Sequence, residues 1–409
     1  MSIAEFANLQ ALLQKNMENL ILKSGRERSV ENQHAWIYSG AIKEFPKQAQ
    51  QGDIVKVLDN KQNFLGYGFY APKNQIACRM FYFGKKEIEL SKNFWKEKIW
   101  RAYELRQRYV VDQHTNAYRL LFSEGDNLPG LIVDVYDKVA SVQILHKGIE
   151  KIYSILLETL QEIGLQYIYL KTKENSRRLE YIDIPEGWVN GIAPAEKIWI
   201  VENGLRFGVD VEKGQKTGFF LDQRENRALL KNYAQGKRVL NTFSYTGGFS
   251  VYAVAGNAEE VVSVDISKDV CSEAENNVRA NFPDFRKHQT FAEDCFLFLK
   301  KIPENYYDLI ILDPPAFAKT AQNVPNAARG YKEINMQAFK KIQRGGLVFT
   351  FSCSGSVDRD LFRKIVFGAA ADVGRDIKIL HQLTQPADHP ISIYHPESEY
   401  LKGLVLYVS

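Results

Sequence analysis

Two short stretches carry side chains able to do covalent chemistry on a flat ring. "GGLVFTFSCSGSVDRD" (345–360) runs an apolar strand pattern out into a loop at Cys353, and "LDPPAFAK" (312–319) ends another such strand at Asp313. A thiol attacks as its thiolate, from a resting pKa of ~8.5. A carboxyl group can pass a proton or grip the polar edge of a ring. Pro314 and Pro315 hold the backbone after Asp313 in a fixed, non-helical course. Phe317 is either a stacking face for a planar ligand or a core contact under the loop. An exocyclic amino nitrogen attacks an electrophilic carbon unaided and needs no thiol. Carbon 5 of a pyrimidine is a poor nucleophile until a thiolate adds to carbon 6 and makes it enamine-like. A thiol and a carboxyl at neighbouring strand ends suit that second chemistry. The competing reading of Cys353 is a small, inert core residue.

The elements that position this pair alternate over residues 206–409. Strands are expected at 237–244, 260–267, 307–315 and 346–353, with helices at 248–255, 268–282, 330–343 and 359–374. Such alternation predicts an α/β, doubly wound parallel sheet. The last two strands, 377–384 and 400–409, have no room between them for a packed helix, so they pair as antiparallel neighbours. A parallel sheet with that ending is the outline of class I methyltransferases.

Ligands of open parallel sheets bind beyond the C-terminal strand ends. The first such end is "FSYTGGFS" (243–250), where Phe243, Ser244, Tyr245 and Thr246 lead to Gly247 and Gly248, which let the backbone approach a ligand closely. Asp265 ends the next strand, followed by Ile266, and can accept both hydroxyls of a ribose. Asp294, with Cys295 beside it in "FAEDCF", is placed to meet an adenine edge. Asp313 and Pro314 complete the set. The turn lacks the third glycine of a G-x-G-x-x-G dinucleotide site, so a nucleoside without phosphates fits it better: S-adenosylmethionine.

Upstream, residues 1–88 read as an N-terminal amphipathic helix (3–22) followed by a small β-barrel built on "AWIYSGAI", "GDIVKVLD", "FLGYGFYA" and "IACRMFYF". Basic and aromatic residues interleave there (Lys23, Arg26, Arg28, His34, Trp36, Lys73, Arg79), a mixture suited to phosphate contact and base stacking or to a solvated rim. Residues 89–205 form a smaller α+β unit with a charged helix at 93–110, another at 149–163 and a strand at 179–182. Its Lys171, Lys173, Arg177 and Arg178 read as an RNA contact or as a solvated hairpin. The 409 residues carry 53 Lys plus Arg against 49 Asp plus Glu, a net charge of +4, which allows local nucleic-acid patches without demanding them. No apolar run reaches the ~18–20 residues of a membrane helix. The four cysteines have no metal-ligand spacing and, with no export signal, are expected as thiols in the cytoplasm. No metal is expected.

Taken together, "HAWIYSGAI", "EGDNLPGLIVDVYD", "KTGFFLDQREN", "FSYTGGFSV", "VVSVDIS", "ILDPPAFAK", "GYKEIN", "FSCSGSV" and "PADHPISIYHPESEYLKG" resemble large-subunit ribosomal RNA cytosine-5 methyltransferases of the RlmI type across essentially the whole chain. The resemblance implies a PUA domain at 1–88, a central α+β domain at 89–205 and a class I methyltransferase domain at 206–409. It implies S-adenosylmethionine as cofactor and 23S ribosomal RNA, free or in a precursor particle, as partner, and is compatible with a homodimer. It puts Gln223 and Arg224 beside the cofactor, although read alone Asp222–Gln223–Arg224 is a helix start with Asp222 as N-cap. It makes Cys353 the nucleophile, puts Tyr331 and Lys332 at the RNA border, and gives His389 as either a group near the active site or a structural histidine; Pro315, Phe317 and Lys319 of the "DPP" loop are also expected on the substrate side. Many RNA cytosine-5 methyltransferases carry a second cysteine beside the proline of the "DPP" region; here Asp313–Pro314–Pro315–Ala316 has none. Guanine N7 or N2 methylation on the same scaffold, and a non-catalytic RNA-binding assembly factor, are the rival readings.

Overall fold

A computed structural model describes residues 17–172, 174–318 and 320–409. The chain forms two compact units. One comprises residues 1–198, 209–219 and 387–398; the other comprises 199–208, 220–386 and 399–409.

The second unit is built on a seven-stranded sheet. Its strands in chain order are β1 (Arg238–Thr242), β2 (Glu260–Asp265), β3 (His288–Ala292), β4 (Leu309–Leu312), β5 (Gly346–Ser352), β6 (Ile377–Leu383) and β7 (Lys402–Val408). The spatial order is β3-β2-β1-β4-β5-β7-β6. The first five run parallel, while β7 pairs antiparallel with both β5 and β6. The expected antiparallel ending is therefore present. Central strands such as β4, "LIIL", are buried along their whole length, as a sheet covered on both faces requires. Helix α1 (Arg224–Lys231) leads into the sheet, and the helices between its strands are α2 (Gly248–Ala255), α3 (Lys268–Asn281), α4 (Cys295–Lys301), α5 (Val324–Lys341) and α6 (Arg359–Val373). Strand order reverses between β1 and β4, and the crevice beyond that switch point is where such sheets bind ligands. β3 and α4 escaped the sequence reading. β3 is an edge strand, "HQTFA", polar and largely exposed, so it lacks an apolar signature.

The first unit holds two sheets. Six short strands between Asn19 and Phe83 form one; strands Ala117–Phe122, Leu131–Tyr136, Val139–Ile144, Tyr167–Leu170 and Gly187–Trp188 form the other. They share a core in which Tyr67, Phe69 and Phe81 meet Trp95, Ile99, Leu120 and Val133.

Three local expectations fail here. Asn19–Leu22, placed in a helix from the sequence, is a strand, because Leu20 and Leu22 are buried and the segment pairs on both sides; residues 3–16 lie outside the described residues. Residues Glu174–Glu180 form a helix where a strand and hairpin were expected. Lys171, expected in a surface cluster, is buried and its Nζ donates to the carbonyls of Val211, Glu212 and Gly214 at 2.8, 2.6 and 2.7 Å. Lys173 lies outside the described residues. No helix of the described residues is long and apolar enough to cross a membrane. The one His/Cys/Asp/Glu cluster of metal-ligating type among the described residues joins His34, His395 and Glu397. There Glu397 hydrogen-bonds His34 Nε2 at 3.2 Å and lies 3.3 Å from His395 Nδ1, a buried nitrogen without a hydrogen-bond partner among the described residues.

Candidate active site

The turn after β1 is the most contorted backbone of the second unit. Phe243 and Tyr245 have φ of 55° and 45°, and Gly247 has 76°. Left-handed conformations at bulky residues cost on the order of 1–3 kcal/mol each and persist only where neighbours enforce them. The enforcers are identifiable. The Phe243 N–H donates to Cys295 Sγ at 3.1 Å, the Ser244 N–H to the Val264 carbonyl at 3.0 Å, and the Tyr245 N–H to Asp265 Oδ2 at 3.0 Å. Buried Asn277, on α3, donates to the Thr246 carbonyl at 2.9 Å. The sequence reading missed Asn277, an unremarkable polar residue in a helix pattern, and gave Cys295 no such scaffolding role. Burial pushes the Cys295 thiol up to about 12, so it acts as a neutral group.

Around this turn the expected cofactor residues come together. Asp265 accepts one backbone N–H on each oxygen, from Tyr245 and Ser267, leaving a lone pair on each. Ile266, next in chain, is 76% exposed at the strand tip. Asp294 caps α4, its Oδ1 accepting the Leu297 N–H at 3.0 Å. The hydroxyls of Ser244 and Thr246 are buried yet have no partner among the described residues. Buried polar groups almost always find partners. Two orphan hydroxyls in a glycine-containing turn, beside a carboxylate and an exposed aliphatic, fit a polar nucleoside ligand such as S-adenosylmethionine.

The second half of the site hangs from β4 and β5. Gln223 Nε2 donates to Asp313 Oδ1 at 3.0 Å, and its own Oε1 accepts from Asn226 at 2.6 Å, so Asp313 is held by a tethered amide. Asp222 does not cap α1: it lies in a 3₁₀ turn, and its Oδ2 accepts the Tyr400 hydroxyl at 2.6 Å. Arg224 is buried, with its Nε 3.3 Å from Glu225 Oε1.

Cys353 follows β5 directly and is half-buried, whereas Cys78, Cys271 and Cys295 are buried. Its Sγ lies 3.9 Å from the Pro314 carbonyl, so the "DPP" and "SCS" loops meet. Ser354 ties them further, its Oγ accepting the Ala318 N–H at 3.2 Å and lying 2.9 Å from the Tyr331 hydroxyl.

Several substrate-side expectations change. Tyr331, expected to border RNA, is fully buried and works as a wall between the two loops. Phe317 packs against Tyr331 and Phe296, with ring centroids 4.6 and 5.9 Å apart, which is the core-contact reading of that residue. Pro315 is exposed beyond Pro314. Lys332 pairs with Asp372 at 2.8 Å. Lys319 lies outside the described residues. His389 belongs to the first unit and is 1% exposed, with Nδ1 3.0 Å from Asp388 Oδ1, so it is built into that unit's interior rather than onto a substrate surface. Asp388 also accepts the Arg119 N–H at 2.9 Å.

This sheet order with its reversed seventh strand defines a Rossmann-like methyltransferase. Consistent with it, residues 136–390 match the model of the S-adenosylmethionine-dependent methyltransferase family, and residues 20–83 match a PUA-like domain. A relative from Alteromonas mediterranea is 40% identical over 95% of this chain and 98% of its own length. One from Yersinia pseudotuberculosis is 38% identical over 94% and 98%. Both are named ribosomal RNA large subunit methyltransferase I, and the chain belongs to that family of S-adenosylmethionine-dependent enzymes. Among solved structures, a methyltransferase complexed with S-adenosylhomocysteine superposes with a TM-score of 0.83 over 96% of this chain and 100% of its own, at 24% identity, a likeness of fold.

Proposed function

We propose that the protein transfers a methyl group from S-adenosylmethionine to carbon 5 of a cytosine in large-subunit ribosomal RNA, in the cytoplasm, through a covalent bond between Cys353 and carbon 6. The observation that carries this reading is half-buried Cys353 at the end of β5, with its sulfur 3.9 Å from the Pro314 carbonyl of the "DPP" loop. An amino-nitrogen methyltransferase has no use for a thiol there. The names of the relatives support ribosomal RNA as the substrate.

Residues Phe243 to Gly248, Asp265, Ile266, Asp294, Cys295, Gln223, Arg224 and Pro314 would hold the cofactor, which supplies an electrophilic methyl group. Asp265 takes the ribose hydroxyls, Ile266 covers a face of the adenine, and the Ser244 and Thr246 hydroxyls find their missing partners on the ligand. Asp313, fixed by Gln223, faces the pyrimidine edge and in its acid form protonates the ring nitrogen as the Cys353 thiolate adds to carbon 6. Carbon 5 then attacks the methyl group. Water takes the carbon 5 proton, the carbon 6–sulfur bond breaks to release the thiolate, and the ring nitrogen returns its proton to the Asp313 carboxylate, which restores the ring. The scheme calls on no metal ion and no second copy of the chain. Residues 1–88 and 89–205 serve as RNA-binding and linking domains ahead of a catalytic domain at 206–409.

Cys353→Ala is the direct test. The variant keeps its affinity for S-adenosylmethionine by calorimetry and loses methyl transfer to ribosomal RNA by at least a thousandfold. Nucleoside mass analysis of the wild-type product gives 5-methylcytidine. Full activity in the variant, or methylguanosine as the product, overturns the proposal.

A further inference from the structure

β7 contributes a buried cation to the turn that carries Cys353. Lys402 opens β7, pairs in register with Ser352, the residue before Cys353, and is only 4% exposed. Its Nζ donates to the Ser354 carbonyl at 2.7 Å and also to the Val357 carbonyl. Both acceptors belong to the loop immediately after the sulfur. Among the described residues no carboxylate forms an ion pair with Lys402. The two nearest candidates are otherwise engaged: Glu399 pairs with Arg359, and Asp358 Oδ1 caps α6 by accepting the Leu361 N–H at 2.7 Å. A buried ammonium satisfied only by neutral carbonyls is costly to the fold. Structures tend to keep such a charge where another group needs it.

We infer that Lys402 is a positioning residue for Cys353: its ammonium clamps the turn that presents the sulfur and supplies the positive charge that favours thiolate over thiol. The inference rests on the reading of Cys353 as the nucleophile. Forming that thiolate breaks the S–H bond, sends the proton to solvent and leaves the electron pair on sulfur, which then bonds to carbon 6. Among the described residues, the ionisable groups around the turn are Lys402 from β7, the Tyr331 hydroxyl from α5, Asp313 beyond β4, Asp358 and Arg359 at the start of α6, and Glu399 before β7. Burial raises the Tyr331 phenol, keeping it neutral. Burial lowers Lys402 to about 8, and interaction with the Cys353 sulfur opposes that fall. Arg359 and Glu399 offset each other; Asp358 keeps its negative charge while capping α6 and works against the effect, so among the described residues Lys402 is the cation set against the sulfur. Ion-pair partners of this kind depress cysteine thiols well below their resting value.

The test is the pH-rate profile of Cys353 alkylation by iodoacetamide, read by peptide mass on the full chain. The wild-type profile has an apparent pKa at least one unit below the ~8.5 of an unperturbed thiol. In Lys402→Met it rises by a unit or more, and alkylation at pH 7 slows about tenfold. Lys402→Arg restores the wild-type profile, and S-adenosylmethionine binding reports that each variant is folded. An unperturbed or raised value in the wild-type protein overturns the inference without any variant; so does an unchanged profile in folded Lys402→Met. Retained methylation by Cys353→Ala is a separate outcome that removes the nucleophile role while leaving the Lys402 effect on the thiol measurable.

Discussion

At the scale of single residues, the four cysteines separate by the company they keep. Cys353 is half-exposed at a strand end, while Cys295 is buried with its sulfur accepting the Phe243 N–H. Sequence alone could rank Cys353 first, because a strand running into Ser-Cys-Ser-Gly is a chemical cue. It could not see that Cys295 braces the cofactor turn, because the contact joins residues 52 apart in the chain. The prediction follows from the strain of that turn. Cys295→Ala removes the acceptor for a backbone N–H held at φ of 55° and costs about 1–3 kcal/mol of stability. Because Phe243 and Tyr245 relax, affinity for S-adenosylmethionine falls about tenfold, equivalent to about 1.4 kcal/mol. Denaturant titration and calorimetry measure the two effects. Unchanged affinity would mean that Asp265 and Asn277 hold the turn without the sulfur.

At the scale of elements, Asp294 separates a structural role from a ligand role. Its Oδ1 caps α4, and an N-cap is worth about 1 kcal/mol when replaced by alanine and little when replaced by asparagine. Asp294→Asn therefore keeps stability, whereas Asp294→Ala loses about 1 kcal/mol by urea titration. If the side chain also accepts from the adenine amino group, the asparagine variant still binds the cofactor, because its amide oxygen can accept as well. The alternation that predicted the sheet was legible because β1, β2, β4 and β5 each carry an apolar run (Val239–Leu240, Val261–Val262, Leu309–Leu312, Leu347–Phe349) and are separated by helix-length intervals. The reversed ending was legible because 377–384 and 400–409 leave no helix between them. β3 was illegible because an exposed edge strand is patterned by its pairing with β2 and not by burial. Asn19–Leu22 misled because a four-residue strand is about one helical turn long, too short to show a period of its own, and was absorbed into the amphipathic run before it. Residues Glu174–Glu180 misled because their charges resemble a turn, although the segment is helical.

At the scale of the whole molecule, the buried histidines set how the fold meets acid. His146 is fully buried in the first unit, its Nδ1 accepting the Gly148 N–H at 3.0 Å and its ring stacked on Phe69 at 5.7 Å. Burial lowers it to about 3, with the positive charge of Arg79 acting in the same direction. In the second unit, burial lowers His288 to about 4; its Nε2 is 2.9 Å from the Ser263 hydroxyl in a polar chain that continues to Ser250 and Asn241. Both imidazoles are neutral in the fold and ordinary in the unfolded chain, where they protonate near 6.5. Between about 6.5 and the folded values the unfolded state binds more protons, so stability falls as pH falls through that window. Once the unfolded imidazole is fully charged, the slope for His146 approaches about 1.4 kcal/mol per pH unit. His146→Asn keeps a side-chain acceptor for the Gly148 N–H and removes the titration. The variant is less stable than the wild type at pH 7, because the Phe69 stacking is lost, but its unfolding midpoint in urea falls less between pH 7 and pH 5. Carboxylates contribute equally to both proteins, so the difference in slope isolates the histidine. Parallel pH dependences for variant and wild type would show that His146 is protonated in the fold or titrates alike in both states.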